Sequence, residues 1–198
     1  MEKQIEQFIK RSRIPSFTRQ MSKGNKLFML YCANENLAEK CVQLLRDSYK
    51  HVDKRFTTGA QMVLGMDTES SGGKACTIQL STNCLSVLFH VHSMRQCPQV
   101  LCEVLKDPTV LKCGRSLDGD FLRLRSTFPG QLNLDNTVVN QMCFDVAEVA
   151  GAEYDAGSGN TGLKVLGKLI LQEPEVLFEK HGTWASKSLS KQRIEYAC

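Results

Sequence analysis

Apolar positions along this chain fall into two spacings, and the spacing changes partway through. Lys26 to Tyr31 is a short apolar run that reads as a strand. Asn34 can cap a following helix in which Leu37, Cys41, Leu44 and Leu45 recur at helical spacing, as far as about Tyr49. Gln61–Met66, Thr77–Leu80 and Leu85–His90 are further strand-like runs. The polar Ser81-Thr82-Asn83 between the last two suits a hairpin turn. These closely spaced strands with tight turns predict an antiparallel start to a sheet.

Alternation follows. The pattern predicts a helix from Pro98 to Lys106, a strand at Val110–Cys113 and a helix from about Asp118 to Ser126. A strand near Leu132–Asp135 and a helix around Val138–Ala150 come next. Ala156–Asn160 has loop composition, and Leu163, Leu166, Leu169 and Ile170 mark an amphipathic helix. A last helix starts near Ser188 and is cut off at Cys198. Antiparallel strands followed by βα alternation predict a mixed α/β domain, with helices covering a central sheet.

Composition narrows the picture only slightly. The 198 residues carry 25 Lys and Arg against 21 Asp and Glu, a net charge of +4 that permits a nucleic-acid partner without arguing for one. Nine cysteines form no CxxC pair and no zinc-finger spacing with histidine, and no signal peptide precedes them. They read as reduced, mostly buried small hydrophobes of an intracellular protein, nuclear or cytoplasmic. No apolar run approaches the roughly 20 residues that span a bilayer, so no membrane insertion is expected. Residues 1–25 differ from the rest: Met1 to Lys26 holds seven basic residues against Glu2 and Glu6. This basic N-terminal extension reads as a solvated leader or, more sharply, as an arm touching phosphate backbone; a mitochondrial presequence fits less well.

Three stretches could carry chemistry. Asp67 and Glu69 follow the apolar strand from Gln61 and, two apart, project from the same face. Adjacent like charges repel unless a cation lies between them, and hard Mg2+ or Mn2+ suits carboxylate oxygens. The plain alternative is a pair of solvated carboxylates at a strand end. Asp118 and Asp120 lie at a strand-to-helix turn, where negative charge is favoured, so Asp118 could be a cap and Asp120 a third ligand. Tyr196 lies in the final helix, where packing is the ordinary role of a tyrosine. His90 and His92 could form a metal pair but lack a third ligand nearby; Gln79 reads as a buried amide and Trp184 as core or lid packing, with base stacking as the sharper option.

Taken in order, these stretches resemble the DEDD superfamily of 3'-5' exonucleases, in the branch of ribonuclease D and the Werner-type exonuclease. Met66-Asp-Thr-Glu69 is similar to the first motif, and Ile78-Gln-Leu80 with Leu88-Phe-His-Val91 to the next two strands. Lys112-Cys-Gly114 through Asp118-Gly-Asp-Phe121 resembles the second motif, with Asp120 in the ligand position. Asp145-Val-Ala147 and Leu163-Lys-Val-Leu166 are similar to the helical stretch after it, and Trp184 with Ile194-Glu-Tyr-Ala197 to the approach to the third motif. The similarity covers residues 26–198.

The resemblance implies a ribonuclease-H-like (DnaQ-like) fold with helices on both faces of the sheet, and two-metal hydrolysis at the 3' end of single-stranded DNA or RNA. It implies Asp67 bridging two Mg2+ or Mn2+ ions, Glu69 holding one, Asp120 supporting the other, and Tyr196 orienting the water, in the family's tyrosine subgroup. That motif ends in an Asp four positions after the Tyr, which falls beyond Cys198. The expectation is an exonuclease domain incomplete at its C-terminus. The alternatives are a catalytically impaired module that binds nucleic acid or a protein, and another nuclease or nucleotidyl-transfer enzyme on the same scaffold.

Overall fold

The structure is a computed structural model, described for residues 1–21, 26–49, 62–148, 150, 163–167 and 183–198. In chain order it contains α1 (Glu2–Ser12), β1 (Ser16–Gln20), β2 (Lys26–Cys32), α2 (Glu35–Tyr49), β3 (Met62–Ser71), β4 (Lys74–Ser81) and β5 (Leu85–Phe89). Then follow α3 (Gln99–Lys106), β6 (Val110–Gly114), α4 (Leu117–Thr127), α5 (Asn136–Met142), β7 (Cys143–Asp145), the short α6 (Leu163–Leu166) and α7 (Lys191–Ala197).

The strands form one sheet in the order β1-β2-β5-β4-β3-β6-β7. The β3–β4 and β4–β5 pairs are antiparallel, as the early strands predict. Gly72 and Gly73, both at positive φ, make the turn between β3 and β4, a conformation glycine adopts without steric cost. The β3–β6 and β6–β7 pairs are parallel, as βα alternation requires. The mixed α/β fold expected from the sequence is the fold of the protein.

Strand alternation divides the core into two layers. Leu64 and Met66 of β3, Ile78 and Leu80 of β4 and Val87 and Phe89 of β5 pack on one face with buried residues of α2, α3, α4 and α5. Tyr31 of β2, Cys76 of β4 and Leu88 of β5 pack on the other, under Trp184, Leu189 and the α7 residues Ile194 and Ala197. Residues one apart on a strand belong to opposite layers, and this division decides where each candidate ligand lies.

Three stretches depart from expectation. The part of the basic N-terminal stretch described here is not a solvated leader: Ile5 of α1 and Ile14 are buried in the core, and β1 pairs antiparallel with β2. Burial of these two apolar side chains outweighs the solvation of the surrounding charges, which stay at the surface. Leu132–Asp135 is not a strand. Leu132 and Leu134 fill the core from a segment with no partner strand, while Asp135 caps α5 by accepting a hydrogen bond from Val138 N at 2.8 Å. The helix expected over Val138–Ala150 is interrupted, because Cys143–Asp145 pairs with β6 as the edge strand β7. The Ala156–Asn160 loop, Leu169 and Ile170 lie outside the described residues. No helix among the described residues is long and apolar enough to cross a membrane.

Candidate metal centre

β3 carries Asp67 and Glu69 on the α7 face of the sheet, because Leu64, Met66 and Thr68 point into the opposite layer. Gln79 of β4 lies directly across from Asp67, and Thr77 across from Glu69, accepting a hydrogen bond from Glu69 N. Gln79 is only half-buried, so it belongs to the wall of this site more than to the core.

Asp120 arrives from the other layer. β6 pairs with β3 only as far as Gly65 and Cys113, so the edge of β3 from Met66 onward is open on that side. The chain leaves β6 at Gly114, where a Cβ would stand 2.3 Å from the Met66 carbonyl and 2.7 Å from Leu117 Cδ2. Only glycine permits that passage. Ser116 then takes a left-handed conformation (φ 57°), and α4 begins beside the open edge. The Ser116 turn is pinned from β7: the Asp145 carboxylate accepts hydrogen bonds from Ser116 N, Arg115 Nη1 and Ala147 N. Burial raises the Asp145 carboxyl, but these bonds together with the Arg115 charge outweigh it and hold the group below the usual carboxylate range.

Asp120 itself is 2% exposed. Its Oδ1 accepts hydrogen bonds from Thr68 Oγ1 at 2.6 Å and Arg123 Nη2 at 2.6 Å. Both bonds fall on the same oxygen. Thr68 is therefore the bridge between the layers: it separates Asp67 from Glu69 on the strand and anchors Asp120 from behind.

Tyr196 reaches the same region from α7, stacked at 6.0 Å between ring centroids against the buried Trp184. Trp184 thus packs in the core of the second layer. His90 is fully buried, with Tyr31 Oη 2.6 Å from its Nδ1, while His92 is exposed in the short turn Val91–Ser93. The two do not form a metal pair.

The electrostatics tie the four candidates together. Burial pushes the Asp67 carboxyl up to about 6, and the nearby Asp120 adds to the rise. Glu69 is pushed up to about 7, by burial first and then by the charges of Asp67 and Asp120. Asp120 is also raised by burial, although Thr68 and Arg123 both favour its ionised form. Burial raises the Tyr196 hydroxyl as well, and Glu69 and Asp67 raise it further. Arg123 is the positive group opposing the rise at all three carboxylates.

These residues form an anionic site short of positive charge, made of hard oxygen donors, and a divalent cation fits that chemistry. Coordination is not preformed: among the described residues, no three Asp, Glu, His or Cys side chains stand as a ready ligand set. The cause is visible in the layers. Asp67 and Glu69 project on one face of β3, and Asp120 is drawn to Thr68 and Arg123 at its edge.

No family model matches the chain. It is 26% identical, over 148 residues, to a protein of Acanthamoeba polyphaga mimivirus named "putative 3'-5' exonuclease"; the match covers 69% of this chain and 36% of that protein. Among solved structures, the Brucella melitensis protein NrnC superposes with a TM-score of 0.53 at 20% identity, over 68% of this chain and 64% of NrnC. An apo nuclease structure gives a TM-score of 0.57 at 21% identity, over 81% and 68% of the two chains. The EXD2 exonuclease domain, soaked in Mn and dGMP, gives 0.50 at 21% identity, over 84% and 81%. The chain thus spans about a third of the mimivirus protein and under two thirds of NrnC. These likenesses show the ribonuclease-H-like fold.

Proposed function

We propose that this chain is a 3'-5' exonuclease domain of the tyrosine subgroup, comprising residues 26–198, that hydrolyses phosphodiester bonds at nucleic-acid 3' ends. The observation that carries the reading is the meeting, at the open edge of β3, of Asp67 and Glu69 from one layer with Asp120 from the other. Asp120 raises the Asp67 carboxyl, and Asp67 and Asp120 raise that of Glu69, a repulsion that a divalent cation would relieve. The support from relatives is that NrnC has been solved with Mg2+ and with the dinucleotide pGG, and the mimivirus protein is named as an exonuclease.

Asp67, Glu69 and Asp120 would hold Mg2+ or Mn2+. Bound ions would supply Lewis-acid activation of water and charge neutralisation at the departing 3' oxygen. Glu69 lies two positions from Asp67 on the same face of the strand and would orient the attacking water. Tyr196 is a poor base, since burial and two carboxylates push its hydroxyl above its ordinary value; its part is to hold the water by hydrogen bonding. Gln79, beside Asp67, offers an amide to the substrate. Recognition would rest on phosphate and sugar contacts of a single-stranded DNA or RNA end. Positions 1–21 are folded onto the domain, and their exposed Lys3, Lys10 and Arg11 would add to its attraction for phosphate.

The test is Mn2+-dependent shortening of an end-labelled single strand. The wild type shortens it from the 3' end and Asp67→Ala does not; retained shortening in that variant refutes the assignment. A second reading, a module that binds nucleic acid without cutting it, draws on the engagement of Asp120 by Arg123. In that case wild type and variant bind the strand alike and neither shortens it.

A further inference from the structure

Arg123 is the one cationic side chain ion-paired to the candidate ligands among the described residues, and its surroundings are unusual. Its Nη2 lies 2.6 Å from Asp120 Oδ1, one helical turn along α4. Its side chain is 37% exposed, whereas that of Asp120 is 3% exposed, so the pair straddles the protein surface. Its Nε is buried without a hydrogen-bond partner. The guanidinium therefore spends a single nitrogen on the carboxylate and forgoes the two-pronged pairing that makes arginine–carboxylate bonds strong. Gly119 lies beside it, where an added Cβ would stand 3.5 Å from Nη1.

On the reading of a metal-binding site given above, we propose that Arg123 is the resident counter-cation of the carboxylate cluster, occupying Asp120 in the metal-free protein and competing with the divalent ion for it. Two observations combine. Its contact falls on the buried carboxylate of Asp120. Its guanidinium spends one nitrogen on that carboxylate, leaves Nε without a partner and is 37% exposed, so it can exchange toward solvent. Entry of the cation then means exchange of one positive partner for another at Asp120. Arg123 thereby stabilises the empty site and lowers the affinity of the filled one. The displaced guanidinium remains at the surface of the same site, where it can pair with a phosphate. It is a positioning residue in this scheme, acting through Asp120.

The experiment is a calorimetric titration of the protein with Mn2+ alone at pH 8, with no nucleic acid present. Wild type, Arg123→Gln, Arg123→Lys and Asp67→Asn are compared, with circular dichroism confirming that each is folded. Arg123→Gln should bind Mn2+ on the order of tenfold more tightly than wild type, Arg123→Lys should stay near wild type, and Asp67→Asn should lose binding. Unchanged or weaker Mn2+ binding in Arg123→Gln, with binding still lost in Asp67→Asn, overturns the role of Arg123 and leaves the metal site standing. If Arg123→Gln does not fold, Arg123→Lys decides by its pairing geometry: affinity falling well below wild type overturns the proposal. Absence of Mn2+ binding in wild type and Arg123→Gln alike removes the metal reading and this proposal together.

Discussion

Replacing Asp67 by asparagine should stabilise the metal-free protein, and by more as the pH rises. The folded Asp67 carboxyl ionises at about 6, while in the unfolded chain it would ionise near ~3.9. Between those values the folded state holds more protons than the unfolded state, so stability falls with rising pH. The shift of about two units corresponds to roughly 3 kcal/mol once both states are ionised, near pH 8. At pH 4 little of that penalty is present. The carboxamide of Asp67→Asn carries no charge and escapes it throughout. A melting temperature responds by roughly 2–4 °C per kcal/mol for a protein of this size, so Asp67→Asn should gain on the order of 5–10 °C over wild type at pH 8 and far less at pH 4. Other groups also titrate in this window. Burial lowers the His90 imidazole, which adds stability as pH rises. That effect is common to both proteins and cancels in the difference. The assay is differential scanning fluorimetry in EDTA across pH 4 to 8, repeated with excess Mn2+. Saturating Mn2+ at about 100 times its dissociation constant should return about 2.7 kcal/mol to wild type and nothing to Asp67→Asn. Parallel melting curves, with a difference that does not grow with pH, would refute the account of Asp67 as a buried, uncompensated carboxylate.

Two further outcomes follow from the packing. Gly114→Ala should cost on the order of 2 kcal/mol or more by urea unfolding, because its Cβ meets a backbone carbonyl at 2.3 Å that cannot move without disturbing the β3–β6 pairing; a loss under about 0.5 kcal/mol would contradict the close passage. Tyr196→Phe keeps the ring contact with Trp184 and loses only the hydroxyl, so the fold should persist while single-turnover cleavage slows on the order of tenfold, below the roughly hundredfold or more that loss of a general base costs. A slowing beyond a thousandfold would mean that Tyr196 is itself the base.

The local chemistry of the chain was legible in its order of residues. Period-two alternation from Gln61 put Asp67 and Glu69 on one face, because neighbouring strand positions must point to opposite sides. Turn residues and apolar runs located the antiparallel β3, β4 and β5 and the βα units after them, since these depend on contacts a few residues apart. Asp120 stood out by its position after a strand and before a helix. The same local logic misread Leu132–Leu134, whose alternation matches a strand but which pairs with no strand, and Cys143–Asp145, whose pairing partner Lys112–Gly114 lies some thirty residues away. It also left the N-terminal stretch solvated, since no short-range pattern announces that Ile5 and Ile14 find a place in the core.

Only the tertiary structure decided how the candidates stand toward one another. Asp67 and Tyr196 are 129 positions apart, and their shared face arises from the layer in which α7 packs. That Asp120 comes from the opposite layer, passes the open edge of β3 at Gly114 and is tethered by Thr68 has no signature in its own segment. Arg123 is the residue that sequence reasoning passed over. A basic residue three positions after an aspartate is commonplace on a helix, and it gains meaning only beside two more buried carboxylates. The sequence by itself determined which side chains could bind a cation, because that follows from donor type and strand period. The fold determined which of them share a face and which positive charge pairs with Asp120, because proximity among distant residues is a property of packing and not of order.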